Sequence, residues 1–277
     1  MNHLYKSFIL LAAIFFFSCG SSNDEHLDLN EDTKSENNSH QEYAKKVFNS
    51  IPDPAVLSQI INDAQLEYQP ELLNDPMKYN SYNLEQDKAL NLGVYGTDLS
   101  YASMFEQTQE CLTYLKCVNQ LCKSLGINGV FDENTSDRIE ANKSNRDSLL
   151  TIISGSFAQA DEYLTKNKRG NFSTLIITGG WIEGMYIACN LTVASKNEQA
   201  ATELAKHGET LTSIVKLINS YESASTEVEK LKIDLNSLLP FFNELNKPNT
   251  TLDLKIGTIN QLTFKLSDIR KDIIKKG

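Results

Sequence analysis

CLTYLKCVNQLCKSL, residues 111–125, decides the fold class. Cys111, Leu115, Val118, Cys122 and Leu125 recur at alternating spacings of four and three. That spacing returns a side chain to the same face of a 3.6-residue helix, and Lys116, Gln120 and Lys123 fall between. A strand would alternate every second residue, and this stretch does not. Gly126, Asn128 and Gly129 close the stretch with residues that end helices.

The same period runs outward in both directions. Upstream, one helix is expected over residues 83–125, kinked at Gly93 or Gly96, after a Pro-broken loop at residues 69–83 containing Pro70 and Pro76. Further upstream, residues 42–50 form a candidate helix. Asp53-Pro54 starts another, with an apolar stripe of Leu57, Ile60, Ile61 and Ala64. Downstream, residues 134–167 form one helix with the stripe Ile139, Asn142, Arg146, Leu150, Ile153, Phe157, Ala160 and Leu164. Residues 172–195 and 198–221 form two more, the second along Leu204, Leu211, Val215 and Ile218. Residues 226–245 carry Val228, Leu231, Leu235, Leu238, Phe242 and Leu245, bent at Pro240. The last, over residues 257–275, carries Ile259, Leu262, Leu266, Ile269 and Ile273. Residues 251–256 are the one candidate strand. The expectation is an all-α, antiparallel bundle of six to seven helices. It occupies residues 41–277 as one domain, and the low counts of 13 Gly and 6 Pro agree with it.

A different pattern opens the chain. After Lys6, residues 7–20 read SFILLAAIFFFSCG, an apolar core too short to span a bilayer but of signal-peptide length. Ser18-Cys19-Gly20 at its end resembles the lipobox of bacterial lipoproteins, where a peptidase cuts before a diacylated cysteine. Phe16 and Phe17 give it a looseness associated with Bacteroidetes-type lipoproteins. The resemblance implies a signal peptide over residues 1–18, lipidation at Cys19, and a cell-envelope location anchored to the outer membrane. The alternative is an ordinary secretory signal with a chance cysteine. Residues 19–40, rich in Ser, Asn, Asp and Glu, cannot bury enough apolar surface to order themselves and form an acidic tether. Asp24 and Glu25 also resemble a signal for export to the outer leaflet. As a whole the chain resembles helical lipoproteins of a Bacteroidetes-type cell envelope.

Net charge of −10 excludes a nucleic-acid partner and electrostatic adhesion to anionic lipid, leaving the acyl chains as the expected attachment. Cys111 and Cys122 share a helical face about 16 Å apart along the axis, too far to bond. A bridge from one of the clustered cysteines to Cys189 stays open; otherwise Cys111, Cys117, Cys122 and Cys189 are apolar packing residues. There is no CxxC pair, and His207, beside Gly208, is the one histidine of the four in the helical part, so neither a metal nor another cofactor is expected. His207 is expected at the solvated surface. No P-loop, dinucleotide fingerprint or G-x-S-x-G elbow is present.

Two stretches look alike: GVYGTDLSYASMF, residues 93–105, and IITGGWIEGMYIAC, residues 176–189. Each combines glycines with an acid three residues before a tyrosine. A duplicated helical hairpin is one explanation, and chance is the other. Gly180, Gly184 and Ala188 make a smooth stripe for close helix approach, approximated by Gly93, Thr97 and Ser100. A buried carboxylate needs a partner, and Arg146, on the stripe with Asn142, is the expected one. The candidate cluster is therefore Asp98, Tyr101, Asn142, Arg146, Glu183 and Tyr186. It admits three readings: a structural network, a small-ligand site, or a carboxylate pair dividing acid and base roles. The two function classes are an envelope lipoprotein with a binding or assembly domain, and a small-ligand binder or hydrolase using Asp98, Arg146 and Glu183. No catalytic residue is assigned by any motif.

Overall fold

The computed structural model describes residues 66–143, 145–221 and 225–275. The signal-like stretch, Cys19, the tether and the two expected helices before residue 65 lie outside the described residues. Among the described residues the fold is all-α with no strand. Two single 3₁₀ turns, Pro70–Leu72 and Pro76–Lys78, precede nine helices. These are α1 (Glu85–Met104), α2 (Thr108–Ser124), α3 (Glu133–Ala141), α4 (Arg146–Lys166), α5 (Gly170–Ser195), α6 (Glu198–Asn219), α7 (Thr226–Asn236), α8 (Leu239–Leu245) and α9 (Leu252–Ile274).

There are more helices than the periodicity indicated because three long segments break. The first breaks at Phe105–Gln107, not at a glycine: Glu106 adopts φ +57°, and the Gln107 amide bonds back to the Ala102 carbonyl at 2.9 Å. This is a Schellman turn with Glu where Gly is usual. The second breaks at Asn142, whose backbone N–H closes α3 onto the Arg138 and Ile139 carbonyls. Asn145 restarts the chain as N-cap, its side chain accepting from the Ser148 amide at 3.0 Å. The third breaks at Ser237–Leu238, placing Pro240 in the first turn of α8, where its missing N–H costs nothing. Residues 251–256, the candidate strand, instead open α9. Leu84, not Asn83, precedes the first turn of α1.

The stripes point inward as read. Every member named above on α2, α6, α7, α8 and α9 is buried, and one continuous core runs through the bundle. α1 and α2 pack antiparallel, with Tyr95 facing Tyr114 and Ser103 meeting Cys111, and so do α6 and α8, with Ala205 accepting from Asn246 and Gly208 against Phe242. α9 runs antiparallel to α5, with Arg270 opposite Glu183, and to α7, with Asp272 opposite Lys230. The central pair, α1 and α5, runs parallel, with Thr97 donating to the Gly180 carbonyl at 3.0 Å.

α5 is long and apolar enough to cross a membrane by length and composition, yet 72% of that apolar window is buried inside the bundle. Its apolarity is that of a helix packed on all sides. α1 and α5 touch backbone to backbone. A Cβ on Gly179 would lie 2.0 Å from the Leu90 carbonyl oxygen, and one on Gly93 2.0 Å from that of Ile176. Gly180 is the stripe member in tight contact, 3.3 Å from the Gly93 oxygen, whereas Gly184 has room, with Thr97 Cγ2 nearest at 3.7 Å.

Gly179→Ala and Gly93→Ala should therefore lower stability by about 1–3 kcal/mol through forced separation of the helices. Gly155→Ala, on the exposed side of α4 with nothing within 4 Å, should raise it by about 0.5–1 kcal/mol. Urea midpoints of the three variants check the contrast, and equal shifts would contradict the close approach.

Candidate functional site

The glycine contact sets α1 and α5 so close that Asp98 and Glu183 meet in the interior, each 0% exposed. The cation that answers them comes from α9. Arg270 donates from Nε to Glu183 Oε2 at 2.5 Å and from Nη2 to Oε1 at 2.7 Å, a two-pronged pair whose planar fork matches the carboxylate. Nη2 also donates to the Leu72 carbonyl at 2.9 Å. The guanidinium carbon sits 4.5 Å from the centre of the Tyr186 ring, a cation–π contact that covers its face. Burial opposes charge on Arg270, but the bond and charge of Glu183 outweigh it and the guanidinium is held protonated.

Asp98 has no cation of its own. Its Oδ2 accepts from the Asn74 amide at 3.2 Å, and its Oδ1 meets no donor. Burial, and then the neighbouring Glu183 charge and a hydrogen bond between the two carboxyls, hold Asp98 well above the usual carboxylate range, against Arg270 and the Asn74 amide. Asp98 is therefore held toward its protonated form beside the Glu183–Arg270 pair.

Around them runs a strap, residues 66–82, with little regular structure of its own. Buried side chains satisfy its backbone. Tyr95 donates to the Asp75 carbonyl at 2.8 Å and Tyr114 to the Asn74 carbonyl at 3.0 Å. The Gln69 amide donates to the Tyr101 hydroxyl at 3.0 Å, and Asn74 Nδ2 to the Tyr82 hydroxyl at 3.2 Å. Burial pushes the hydroxyls of Tyr82, Tyr95, Tyr101 and Tyr114 upward, so they stay neutral donors and acceptors.

Of the expected cluster, then, Asp98 and Glu183 come together, Tyr186 stacks on their cation, and Tyr101 holds the adjoining strap. Arg146 and Asn142 do not join. Arg146 lies at the start of α4, half-buried, with Glu106 Oε1 at 3.5 Å, and Asn142 donates to the Arg138 carbonyl at 2.8 Å. Their apparent place on one stripe with Ile139 and Leu150 assumed an unbroken helix; the turn between α3 and α4 destroys that phase. The missed residue is Arg270. It falls four residues after Leu266, on the apolar stripe of α9, and that placement was the available signal. Lys265 and Lys271 on the same helix and Lys275 at its C-cap mask it, because cations near a helix C-terminus already suit the helix dipole.

Other side chains have quieter roles. Cys111, Cys117, Cys122 and Cys189 are all free and buried, so the bridge to Cys189 is absent. Burial pushes the thiols of Cys117 and Cys122 up to about 12, which leaves them unreactive at neutral pH. His207 is half-buried and not fully solvated: its Nδ1 is closed from solvent, and burial draws its pKa down against the pull of Glu203. Trp181 is a core residue packed on Phe242, with ring centres 6.2 Å apart. Among the described residues no three His, Cys, Asp or Glu side chains converge on a metal position.

Two surface grooves lie away from the carboxyl pair. One of about 340 Å³ lies between α1, α7 and α9, floored by Leu90, Leu231 and Ile273, and one of about 450 Å³ between α6 and α8 over Phe242. Neither is lined by Asp98, Glu183 or Arg270. Both carboxyl side chains are closed from solvent, so their arrangement can hold a proton and orient helices but presents no face to a substrate. Comparison with models of protein families, with curated proteins and with solved structures gives no match to this chain.

Glu183→Gln should lose about 3–5 kcal/mol, because it leaves the Arg270 charge buried and uncompensated. Arg146→Ala, which breaks a half-exposed pair, should cost no more than about 1 kcal/mol. Chemical denaturation of the two variants separates the observed cluster from the one centred on Arg146.

Proposed function

We propose that this chain is a membrane-anchored cell-envelope lipoprotein whose helical domain serves as a binding or assembly module. Acyl chains on Cys19 hold it to the outer membrane. The observation that carries the reading is the apolar run of residues 8–17 ending at Ser18-Cys19-Gly20 and followed by a polar acidic tether. One or two acyl chains supply the attachment, since a net charge of −10 disfavours adhesion to anionic lipid. The domain fits a non-catalytic role: its most chemically distinctive side chains, Asp98, Glu183 and Arg270, are buried against one another and against the strap. The partner is an envelope protein met through the outer surface of the helices. A small-ligand or hydrolytic site at Asp98 and Glu183 is the weaker reading, because Arg146 is elsewhere and neither groove reaches the pair.

The test is Cys19→Ala expressed in an envelope-bearing bacterial host and followed by fractionation. Wild type should sediment with membranes and take up radiolabelled palmitate. The variant should incorporate none and leave the membrane fraction. A variant that remains membrane-bound, or a wild type that takes up no label, overturns the proposal.

A further inference from the structure

The strap has few internal means of staying in place. Its regular structure is two turns of three residues each, Pro70–Leu72 and Pro76–Lys78. Beyond local bonds such as the Ser81 amide to the Lys78 carbonyl, its backbone is held by side chains from the bundle, and two of those bonds run into the carboxyl cluster: the Asn74 amide to Asp98, and the Leu72 carbonyl to Arg270. The helices beneath keep their own backbone bonds and apolar packing whatever the cluster does. The strap is therefore the element with least to lose before it opens.

We propose that the cluster is a proton-operated latch: one proton held between Asp98 and Glu183 keeps residues 69–76 closed over α1, α2 and α9, and its loss releases them. The charge arithmetic carries this. Asp98 is faced by Glu183 from α5, by Arg270 from α9, itself covered by Tyr186, and by Tyr114 and Cys117 from α2. Tyr95 and Tyr101 lie on its own helix, and Tyr68, Asp75 and Tyr82 come from the strap. Arg270 is the one cation in that set, and both its prongs are bound to Glu183. With one proton on the carboxyl pair and Arg270 charged, the three groups sum to zero. Without it the sum is −1 in an interior closed from solvent. A buried excess charge is relieved by admitting water. The movable wall is the strap, so water enters by displacing Asn74 and Leu72.

The direction follows from Asp98 being held above its ordinary range, by burial first and by Glu183 second. Its stabilising contribution is complete below the unfolded carboxyl value of about 4 and is lost as pH rises through the folded value. The latch is closed in acid and opens toward alkaline pH.

Amide hydrogen exchange on the whole chain tests it, expressed as protection factors so that base catalysis of exchange cancels. Between about pH 5 and about pH 9, protection at Leu73 and Asn74 should fall about tenfold or more relative to α5 amides, the change expected for one pK unit of lost proton binding. In Asp98→Asn, which keeps the shape without the ionisation, the fall should shrink below about twofold. Tyr114→Phe, which removes only the bond to the Asn74 carbonyl, should lower protection equally at both pH values. The latch is refuted by an undiminished fall in Asp98→Asn, by no fall in wild type, or by a fall shared equally by α5. Should Asp98→Asn not fold, infrared titration of wild type decides. A buried protonated-carboxyl band must disappear in step with strap protection, and a band that persists while protection falls overturns the proposal.

Discussion

A single buried ion pair sets the terms for the rest of the molecule. Glu183 and Arg270 both lie in the interior, the former fully closed from water and the latter's side chain 10% exposed. Moving two charges out of water is expensive, and their attraction offsets the cost only when the geometry is good and the remaining hydrogen-bonding groups are satisfied. Here the fork of Arg270 meets both oxygens of Glu183, the Leu72 carbonyl takes a further N–H, and Tyr186 covers the cation's face. Such a pair adds little net stability compared with well-packed apolar residues of the same size. What it does add is selection among arrangements. An α9 slid by one turn against α5 would leave a buried charge alone, so only one register is tolerated. The strap inherits the same selection through Leu72.

Asp98 meets that pair because α1 and α5 come so close. Gly93, Gly179 and Gly180 let carbonyls approach where a methyl group would collide. The likeness of GVYGTDLSYASMF and IITGGWIEGMYIAC then has a direct physical account. The two stretches are opposite sides of one contact, so each needs small residues for the approach, and each contributes one acid to the shared interior. Each tyrosine three residues after its acid, Tyr101 or Tyr186, lies one turn further along the same seam. Tyr101 meets the strap and Tyr186 the cation.

How much of this was legible depended on the kind of signal. Apolar stripes were read well because burial of a helical face imposes a strict period: Cys111 to Leu125 and Ile259 to Ile273 are buried as their spacing demands. Ends were read at Gly126, at φ +67°, and at residue 167, whereas the end of α1 at Glu106, φ +57°, and the break at Asn142–Asn145 were not. The missed breaks then corrupted the site. With α3 and α4 taken as one helix, Arg146 and Asn142 seemed to share the inner face; with the break in place they lie at helix ends. Asp98 and Glu183 were legible because charged residues in glycine-rich apolar helices are costly and so informative. Arg270 was equally out of place on its stripe, but other cations nearby offered a sufficient account. The strap's dependence on Tyr95 and Tyr114 could not be read at all, since side chains bonding to a distant irregular backbone leave no period in the sequence.

The bond from Arg270 to the Leu72 carbonyl joins residues 198 positions apart. Closing so long a loop costs chain entropy before any contact compensates it, and folds rich in such distant contacts form slowly. Until α9 arrives, Glu183 faces an interior with no counter-charge, so the earlier helices cannot dry their own centre. A chain lacking α9 would therefore leave Glu183 without its counter-charge and the apolar faces that α9 covers exposed.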